Sequence, residues 1–485
     1  MRWAALLGVL GGCMVGEPPS SIVALAPTIP GDVFTTLNDP VAAHAELCDP
    51  GGDPAFPDHA DRITNRFCQD AKPGGVVPTP TSLAEFLHGL DLDFATPGGG
   101  NGTDGNPAFA ILGHSSALTA RKVSSITPTA FVFSPLEPDG TVPLDYIFVA
   151  FDPGESFLEV ASYSPSDMAV NFYLVLFDKA CTATGCGPDD LLTRNQVTGW
   201  SNIRIYESTT ALDNTIADCR QCHIGSGRDV PDVGDPLILR MQEIEAPHTH
   251  WFSTATTGGQ ALLDDFHAAH GTSEDYGPIP AAMIDKADPA LMAKFIDAAG
   301  FGTQPNPFQS TVIEQEVMDS APKQPAVNVP IGASATWTAS FSGSIAGHFI
   351  PMPYHDVKIT DPDKLAHMTS VYQQHLADGS PLTEDIRDVF LDSGLAEMGF
   401  APLPAMNGKE LLVQQCQQCH HAKLDPTITR DKFLVDELDQ MPRAEKDLAI
   451  QRIQMGVDSR LTMPPPLFRS LTQADRERMI EELSK

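Results

Sequence analysis

The feature that most constrains this chain is a five-residue pattern that occurs twice. It reads Cys219-Arg220-Gln221-Cys222-His223 in the first copy and Cys416-Gln417-Gln418-Cys419-His420 in the second, 197 residues later. A zinc site pairs two C-x-x-C knuckles across roughly 12–20 residues, and a redox-active C-x-x-C is expected beside a βαβ pattern. Neither arrangement is found in the sequence. The fold must therefore provide two sites for a different chemistry.

A C-x-x-C pair followed directly by His is the attachment pattern of haem c. Each thiol forms a thioether with one vinyl group of the porphyrin, and two residues on a helical turn give the sulfurs the required separation. The adjacent imidazole binds the iron from one side. The sequence therefore predicts two covalent haem c groups, held by Cys219, Cys222 and His223 and by Cys416, Cys419 and His420.

The final segment, residues 406–485, carries further cues. A predicted helix opens it and delivers Cys416, and Met463 precedes three prolines. A closing amphipathic helix has Thr472 as its N-cap and Asp475 as capping-box partner, with Met479, Ile480 and Leu483 on one face. With these features the segment resembles a small single-haem cytochrome c domain. The resemblance implies that Met463 is the second axial ligand, and a His/Met pair raises the iron potential. The alternatives are Met441 and Met455, and His421 is expected at the surface.

The distal ligand of the first haem is harder to assign, because no Met-Pro pair follows Cys219 at a comparable distance. His250 is the favoured candidate, since it adjoins two aromatic residues and its imidazole is easily kept neutral. It would make this centre bis-His and lower in potential than the second. The alternatives are an open site or one of Met241, His248, His267 and His270.

Five of the nine cysteines lie outside the two motifs. Leu10-Gly11-Gly12-Cys13 follows a short apolar run and resembles a bacterial lipobox, so residues 1–12 are expected to be a signal peptide and Cys13 the lipidated N-terminus. The alternative is an ordinary signal peptide that is cut elsewhere. An oxidising compartment lets the other four pair, and the nearest-neighbour connectivity, one of three, gives the disulfides Cys48–Cys68 and Cys181–Cys186.

Hydrophobic patterns predict an α+β multidomain chain. Short apolar runs at 131–133, 146–151, 157–160 and 171–177 favour a β-rich, sandwich-like domain, and mainly α-helical haem c regions follow it. Helices are expected near 83–92, 236–245, 260–270, 289–299, 362–376 and 383–391. The expected units are the signal peptide, a lipid-anchored flexible lead-in at 13–105, the β-rich domain at 106–210, the first haem region at 211–320, a connecting region at 321–405 and the cytochrome c-like domain at 406–485.

Charge narrows the choice of partners. With 63 acidic against 30 basic residues the chain carries a net charge of −33, which argues against nucleic-acid binding. Residues 406–485 hold 12 basic and 13 acidic side chains, so nearly all of the excess lies before them. A redox partner protein is therefore expected to dock near the second haem. No apolar run approaches the roughly 18 residues of a membrane span, so the lipid anchor is the expected membrane contact.

Three functions compete. The first is a di-haem c-type cytochrome that transfers electrons at the bacterial periplasm or outer membrane surface. The second resembles the di-haem cytochrome c peroxidase family, with an open haem at Cys219–His223 and an electron-storing one at the C-terminus. The third is an adhesion or scaffold lipoprotein whose haems are accessory. The first is favoured, because no other catalytic motif is found in the sequence.

Overall fold

The computed structural model describes a little under half of the chain. The described residues are 61–68, 80–115, 123–152, 157–178, 199–207, 250–298, 362–378, 405–417, 433–456, 462–464 and 471–485, with the single residues 219, 223, 244, 248, 402 and 420. They combine one antiparallel sheet with helices, so the mixed α+β class is confirmed. Within these ranges no helix has both the length and the apolar character to span a bilayer.

Six strands form the sheet, each antiparallel to the next in chain order. They are β1 (Ala108–Leu112), β2 (Thr129–Phe133), β3 (Ile147–Phe151), β4 (Phe157–Ser164), β5 (Ala169–Asp178) and β6 (Ser201–Glu207). Strands β2 to β5 were predicted from their β-branched and aromatic runs, and that prediction is confirmed. The structure adds β1 and β6, one at each edge.

Eight helices are described. They are α1 (Leu83–Gly89), α2 (Thr257–His270), α3 (Ala281–Ile284), α4 (Pro289–Ala298), α5 (Pro362–Asp378), α6 (Gly408–Cys416), α7 (Arg443–Gln454) and α8 (Gln473–Leu483). Short turns at Thr64–Cys68 and Val435–Glu437 are also helical. The structure confirms the helices expected near 83–92, 260–270, 289–299 and 362–376. The segments 236–245 and 383–391 lie outside the described residues, apart from residue 244.

Both faces of the sheet are buried. Face A carries alternate strand residues such as Phe109, Val149 and Val175, and it packs against α1, α2 and residues 276–287. Face B carries the intervening residues such as Phe131 and Phe172, and it packs against Trp251 and α4. The sequence predicts a sandwich-like domain, but the described strands make a single sheet. Within the described residues, helices from outside the strand region cover each face and bury its apolar side chains, as a second sheet would do in a sandwich.

The C-terminal helices have a core of their own. Leu411, Leu412, Val435, Leu438, Ile453, Met479 and Leu483 are its fully buried members, and every residue packed against them also lies at or beyond Met406. Within the described residues this core therefore shares no member with the two that line the sheet. The predicted capping box at the start of α8 is confirmed, since Thr472 and Asp475 bond each other reciprocally.

Helices α6 and α8 touch at a glycine. A Cβ on Gly408 would lie 2.3 Å from the carbonyl oxygen of Arg478 and 2.7 Å from the Cβ of Glu482. Both distances are far shorter than van der Waals contact, so the helices approach this closely only because residue 408 has no side chain. The helix that carries Cys416 is thereby held against the helix that ends the chain.

Candidate functional site

The first motif is described at its two ends, Cys219 and His223, while Cys222 lies outside the described residues. The N–H of His223 donates to the carbonyl oxygen of Cys219 at 2.9 Å, which is the i to i−4 bond of a helical turn. Residues four apart in such a turn project from the same side. The thiol and the imidazole therefore face the same way, as attachment of one porphyrin requires.

This turn lies on face B of the sheet. Cys219 is half-buried and packs against the face B core and against a small cluster formed by Leu174, Leu176, Tyr206 and Phe157. The imidazole of His223 lies 4.4 Å from the ring of Phe172, measured between centroids, with the planes tilted by 37°. Strand β5 thus contributes the surface beneath both ends of the first motif.

The second motif begins at the last residue of α6. An Asn407–Glu410 capping box starts this helix, which ends at the half-buried Cys416. The N–H of His420 donates to the carbonyl oxygen of Cys416 at 2.9 Å, the same bond as in the first motif. Cys419 lies outside the described residues. A second backbone bond, from the N–H of Val435 to the carbonyl of His420 at 3.0 Å, connects this turn to the helical turn at Val435–Glu437.

The hydrogen bond of the His420 ring defines its tautomer. Its Nδ1 lies 3.1 Å from the carbonyl oxygen of Phe433. A carbonyl can only accept, so Nδ1 carries the proton and donates it. In a neutral imidazole this leaves the lone pair on Nε2, the atom that binds iron when Nδ1 is held by a backbone carbonyl. The donor set at this turn therefore fits a haem c proximal ligand. Sequence reasoning missed Phe433, because nothing near it marks its carbonyl as an acceptor.

The predicted axial ligand Met463 is half-buried and lies near the C-terminal end of α7. Its N–H donates to the carbonyl oxygen of Arg452 at 3.3 Å. Of the alternatives, Met441 packs against the core of the C-terminal helices, and Met455 is the C-cap of α7. Met441 is thus part of that core, whereas the backbone of Met463 is bonded to α7; Met463 as the axial ligand stays a prediction of the sequence.

Two of the distal candidates for the first haem lie on the wrong side of the sheet. His267 and His270 are on α2, and both rings contact Phe266, a member of the face A core. His223 contacts face B, so the sheet separates them from it. Each ring is also engaged, His267 by Gly271 and Asp285 and His270 by the carbonyl of Ile126.

In addition, each ring nitrogen of His267 faces an oxygen atom, Nδ1 the carbonyl of Gly271 and Nε2 the carboxylate of Asp285. Burial lowers its pKa, but the bonds to Asp285 and Gly271 outweigh this and raise the pKa overall. Both ring nitrogens are therefore engaged by oxygen atoms of the protein. His267 is therefore accounted for by its bridge between α2 and the loop at Asp285.

His250, the favoured distal candidate, is buried beside the end of β1. Its carbonyl accepts from the N–H groups of Gly113 and His114 at 2.8 and 3.1 Å, and only 2% of its surface is exposed. Its ring meets that of His114 edge to face, with centroids 4.7 Å apart. His248 lies in the same loop, where its carbonyl accepts from Trp251. Sequence reasoning missed His114, although it lies two residues beyond the apolar run of β1.

The strand register shows that His250 and His223 are not brought together. Phe172 is level with Ala161, Phe148, Phe133 and Ala108 across the sheet. Four strand spacings of about 4.8 Å put Phe172 about 19 Å from Ala108, and the six residues from Ala108 to His114 add about 20 Å along the strand. His250 therefore lies at a different corner of the sheet from the ring that contacts His223. Met241 lies outside the described residues.

The lipidation and disulfide predictions fall outside the described residues. This applies to Cys13, Cys48, Cys181 and Cys186, and to the side chain of Cys68, whose backbone ends the turn at Thr64–Cys68. They stay predictions of the sequence.

Comparison with known proteins found no matching family model, no matching curated protein and no matching solved structure.

Proposed function

We propose that this chain is a di-haem c-type cytochrome of the bacterial envelope that relays electrons between redox partner proteins. Cys219, Cys222 and His223 would hold one haem, and Cys416, Cys419, His420 and Met463 the other. The bound iron would supply reversible one-electron transfer. Cys13 would carry the lipid anchor that keeps the protein at the periplasm or outer membrane surface.

The observation that carries this proposal is the bond from Nδ1 of His420 to the carbonyl of Phe433. It fixes the imidazole in the tautomer that a proximal iron ligand needs, one turn beyond Cys416. The same backbone turn recurs at Cys219, so both copies of the motif have a shape suited to one porphyrin each. Chain charge supports docking of a partner near the second haem, since residues 406–485 are close to neutral and the rest is strongly acidic.

The direct test is to produce the full chain in a host that attaches haem c and to count the haems spectroscopically. We expect two haems per chain and two separate midpoint potentials in a redox titration followed by optical and electron paramagnetic spectra. A single haem, or none, would refute the proposal. The matched controls are two double variants. One replaces Cys219 and Cys222 by Ser, and the other replaces Cys416 and Cys419 by Ser.

A second function is favoured by one observation. What supports it is that His250 lies at another corner of the sheet from His223, and that His267 and His270 lie on the opposite face. An open haem there would suit a peroxidase-like enzyme, with the second haem as electron store. Rapid binding of carbon monoxide to one haem, together with peroxide turnover by a reduced donor, would support the enzyme. Six-coordinate spectra for both haems without turnover would support the electron carrier.

A further inference from the structure

The first haem motif and the sheet share a surface, although about 40 residues of chain separate β5 from Cys219. Cys219 packs against Leu174 and Leu176, and His223 packs against Phe172. All three partners are alternate residues of β5 that point to face B. We propose that face B forms one wall of the first haem site and that Phe172 is the residue that positions His223. The proposal rests on the proposed function, because it assigns the surroundings of one of the two haems.

Phe172 is well placed to hold an imidazole plane. With 4.4 Å between centroids and a tilt of 37°, the benzene ring lies against the imidazole and restricts its rotation. The orientation of an axial imidazole is commonly set by its neighbours, and these neighbours tune the metal. At His420 the carbonyl of Phe433 supplies that constraint through a hydrogen bond. At His223 the ring of Phe172 adds a constraint of its own through packing.

The backbone beneath Phe172 is anchored from the other face. Its two neighbours on β5, Asn171 and Tyr173, both donate to the carboxylate of Asp61, the amide of Asn171 at 2.9 Å. Asp61 is fully buried and also accepts from the N–H of Thr64 at 2.9 Å. Opposite Phe172 on β4 stands Ala161, whose small side chain leaves room on face B for the aromatic ring. Phe172 itself is 4% exposed. The strand is therefore held in place where the ring has to meet His223.

The rest of the wall is apolar. Leu174, Leu176, Tyr206 and Phe157 form a cluster beside Cys219, the residue that would carry the first thioether. A porphyrin is a flat and mostly apolar ring, so a covalent link at Cys219 would bring it against this cluster. An apolar wall keeps water from the iron and thereby changes its potential. The sheet would then be part of the redox site rather than a separate binding module.

The test compares two phenylalanines of the same strand. Phe177 lies on face A, is 1% exposed and stacks on Trp200 with 3.8 Å between centroids. Phe172→Leu and Phe177→Leu remove similar buried rings from opposite faces of β5. Both variants are made in the full chain, and only protein with the wild-type number of haems is titrated. The readouts are the two midpoint potentials and the paramagnetic spectrum of each haem.

We expect Phe172→Leu to shift the potential and the spectrum of one haem and to leave the other unchanged. Phe177→Leu should lower thermal stability and leave both potentials unchanged. Unchanged potentials in both variants, or an equal shift in both, would overturn the proposal, because Phe172 would then be an ordinary core residue. If Phe172→Leu fails to fold, Phe172→Met tests the same contact with an unbranched side chain that adapts more readily to the gap. A wild-type chain without haem would instead refute the proposed function, so the two failures are distinguishable.

Discussion

At Cys219 and at Cys416 the chain makes the same turn, with a 2.9 Å bond from the N–H of the histidine to the carbonyl of the first cysteine. The surroundings differ. The second motif begins at the last residue of α6, among the C-terminal helices. The backbone carbonyl of Phe433 accepts a hydrogen bond from its imidazole. The first lies on a sheet, and an aromatic ring from another part of the chain contacts its imidazole. The five-residue pattern thus makes the same backbone turn in both places, whereas the groups that contact its imidazole come from the surface on which each copy lies.

The largest expected effect comes from removing the attachment cysteines of one motif. Replacing Cys416 and Cys419 by Ser should leave one haem per chain, and so should replacing Cys219 and Cys222. Because the core of the C-terminal helices shares no described member with the sheet cores, each loss should leave the other haem in place. Haem-to-protein ratios measure this directly. Loss of both haems from either variant would show that the two regions fold as one.

Met463→His should alter the second haem alone. Replacing a thioether by an imidazole removes the His/Met pair that raises the iron potential. We expect that potential to fall by on the order of 0.1 V, within the roughly 0.8 V that axial ligands span. A redox titration of the variant measures it, and Met441→Leu is the control. A fall in the Met441 variant and none in the Met463 variant would reassign the ligand.

Asp61→Ala should destabilise the sheet region. It leaves the buried donors of Asn171 and Tyr173 without their acceptor, at a cost of about 1–3 kcal/mol for each. Burial raises the pKa of Tyr173, so its hydroxyl keeps its proton and remains a buried donor. Chemical denaturation measures the loss. The control is Asp145→Ala, which removes a half-exposed partner of Arg62 and should cost at most about 1 kcal/mol. Equal effects of the two substitutions would contradict the anchoring role of Asp61.

Gly408→Ala should destabilise only the C-terminal unit. The added Cβ would clash with the backbone of α8, and such overpacking costs about 1–3 kcal/mol. Thermal unfolding followed at the second haem would show a lower midpoint, while the first haem would report no change. Gly456→Ala is the matched control, since a Cβ there meets no atom within 4 Å. An unchanged midpoint in Gly408→Ala would mean that the two helices can separate at no cost.

The smallest expected effect concerns the cap of α8. Thr472→Ala removes the acceptor of the Asp475 N–H and should cost about 1 kcal/mol, with Thr472→Ser restoring most of it. Burial raises the pKa of Asp475, but the hydrogen bonds from Thr472 and Arg478 lower it by more. The net shift of this pKa is therefore downward. The carboxylate therefore contributes stability above the unfolded value of about 3.9, and this is lost as the pH falls through the folded value.

Melting curves between pH 3 and 6 for the wild type and Asp475→Asn test that dependence. The stability difference between them should be largest at pH 6 and shrink toward pH 3. A difference that grows on acidification would contradict the assigned sign.

Much of the local structure was predictable because it depends on neighbours in sequence. The strand runs of β2 to β5 and the capping box at Thr472 and Asp475 are examples, and both are present in the structure. A sandwich-like domain was expected, whereas the described strands form one sheet whose faces are covered by α1 before the strands and by α2 to α4 after them. The pattern of apolar residues along a strand indicates whether one face or both faces of the sheet are buried. It does not indicate which elements cover those faces.

Local spacing alone is enough to predict the haem c chemistry proposed for this chain, since two cysteines and a histidine on one turn depend only on neighbours in sequence. Tertiary structure alone decided which side chains meet those groups. It set Phe172 against His223 and the carbonyl of Phe433 against His420, and it put His250 at another corner of the sheet. Strand register and helix packing make these contacts between residues that are distant in the chain, and no local pattern encodes such a distance.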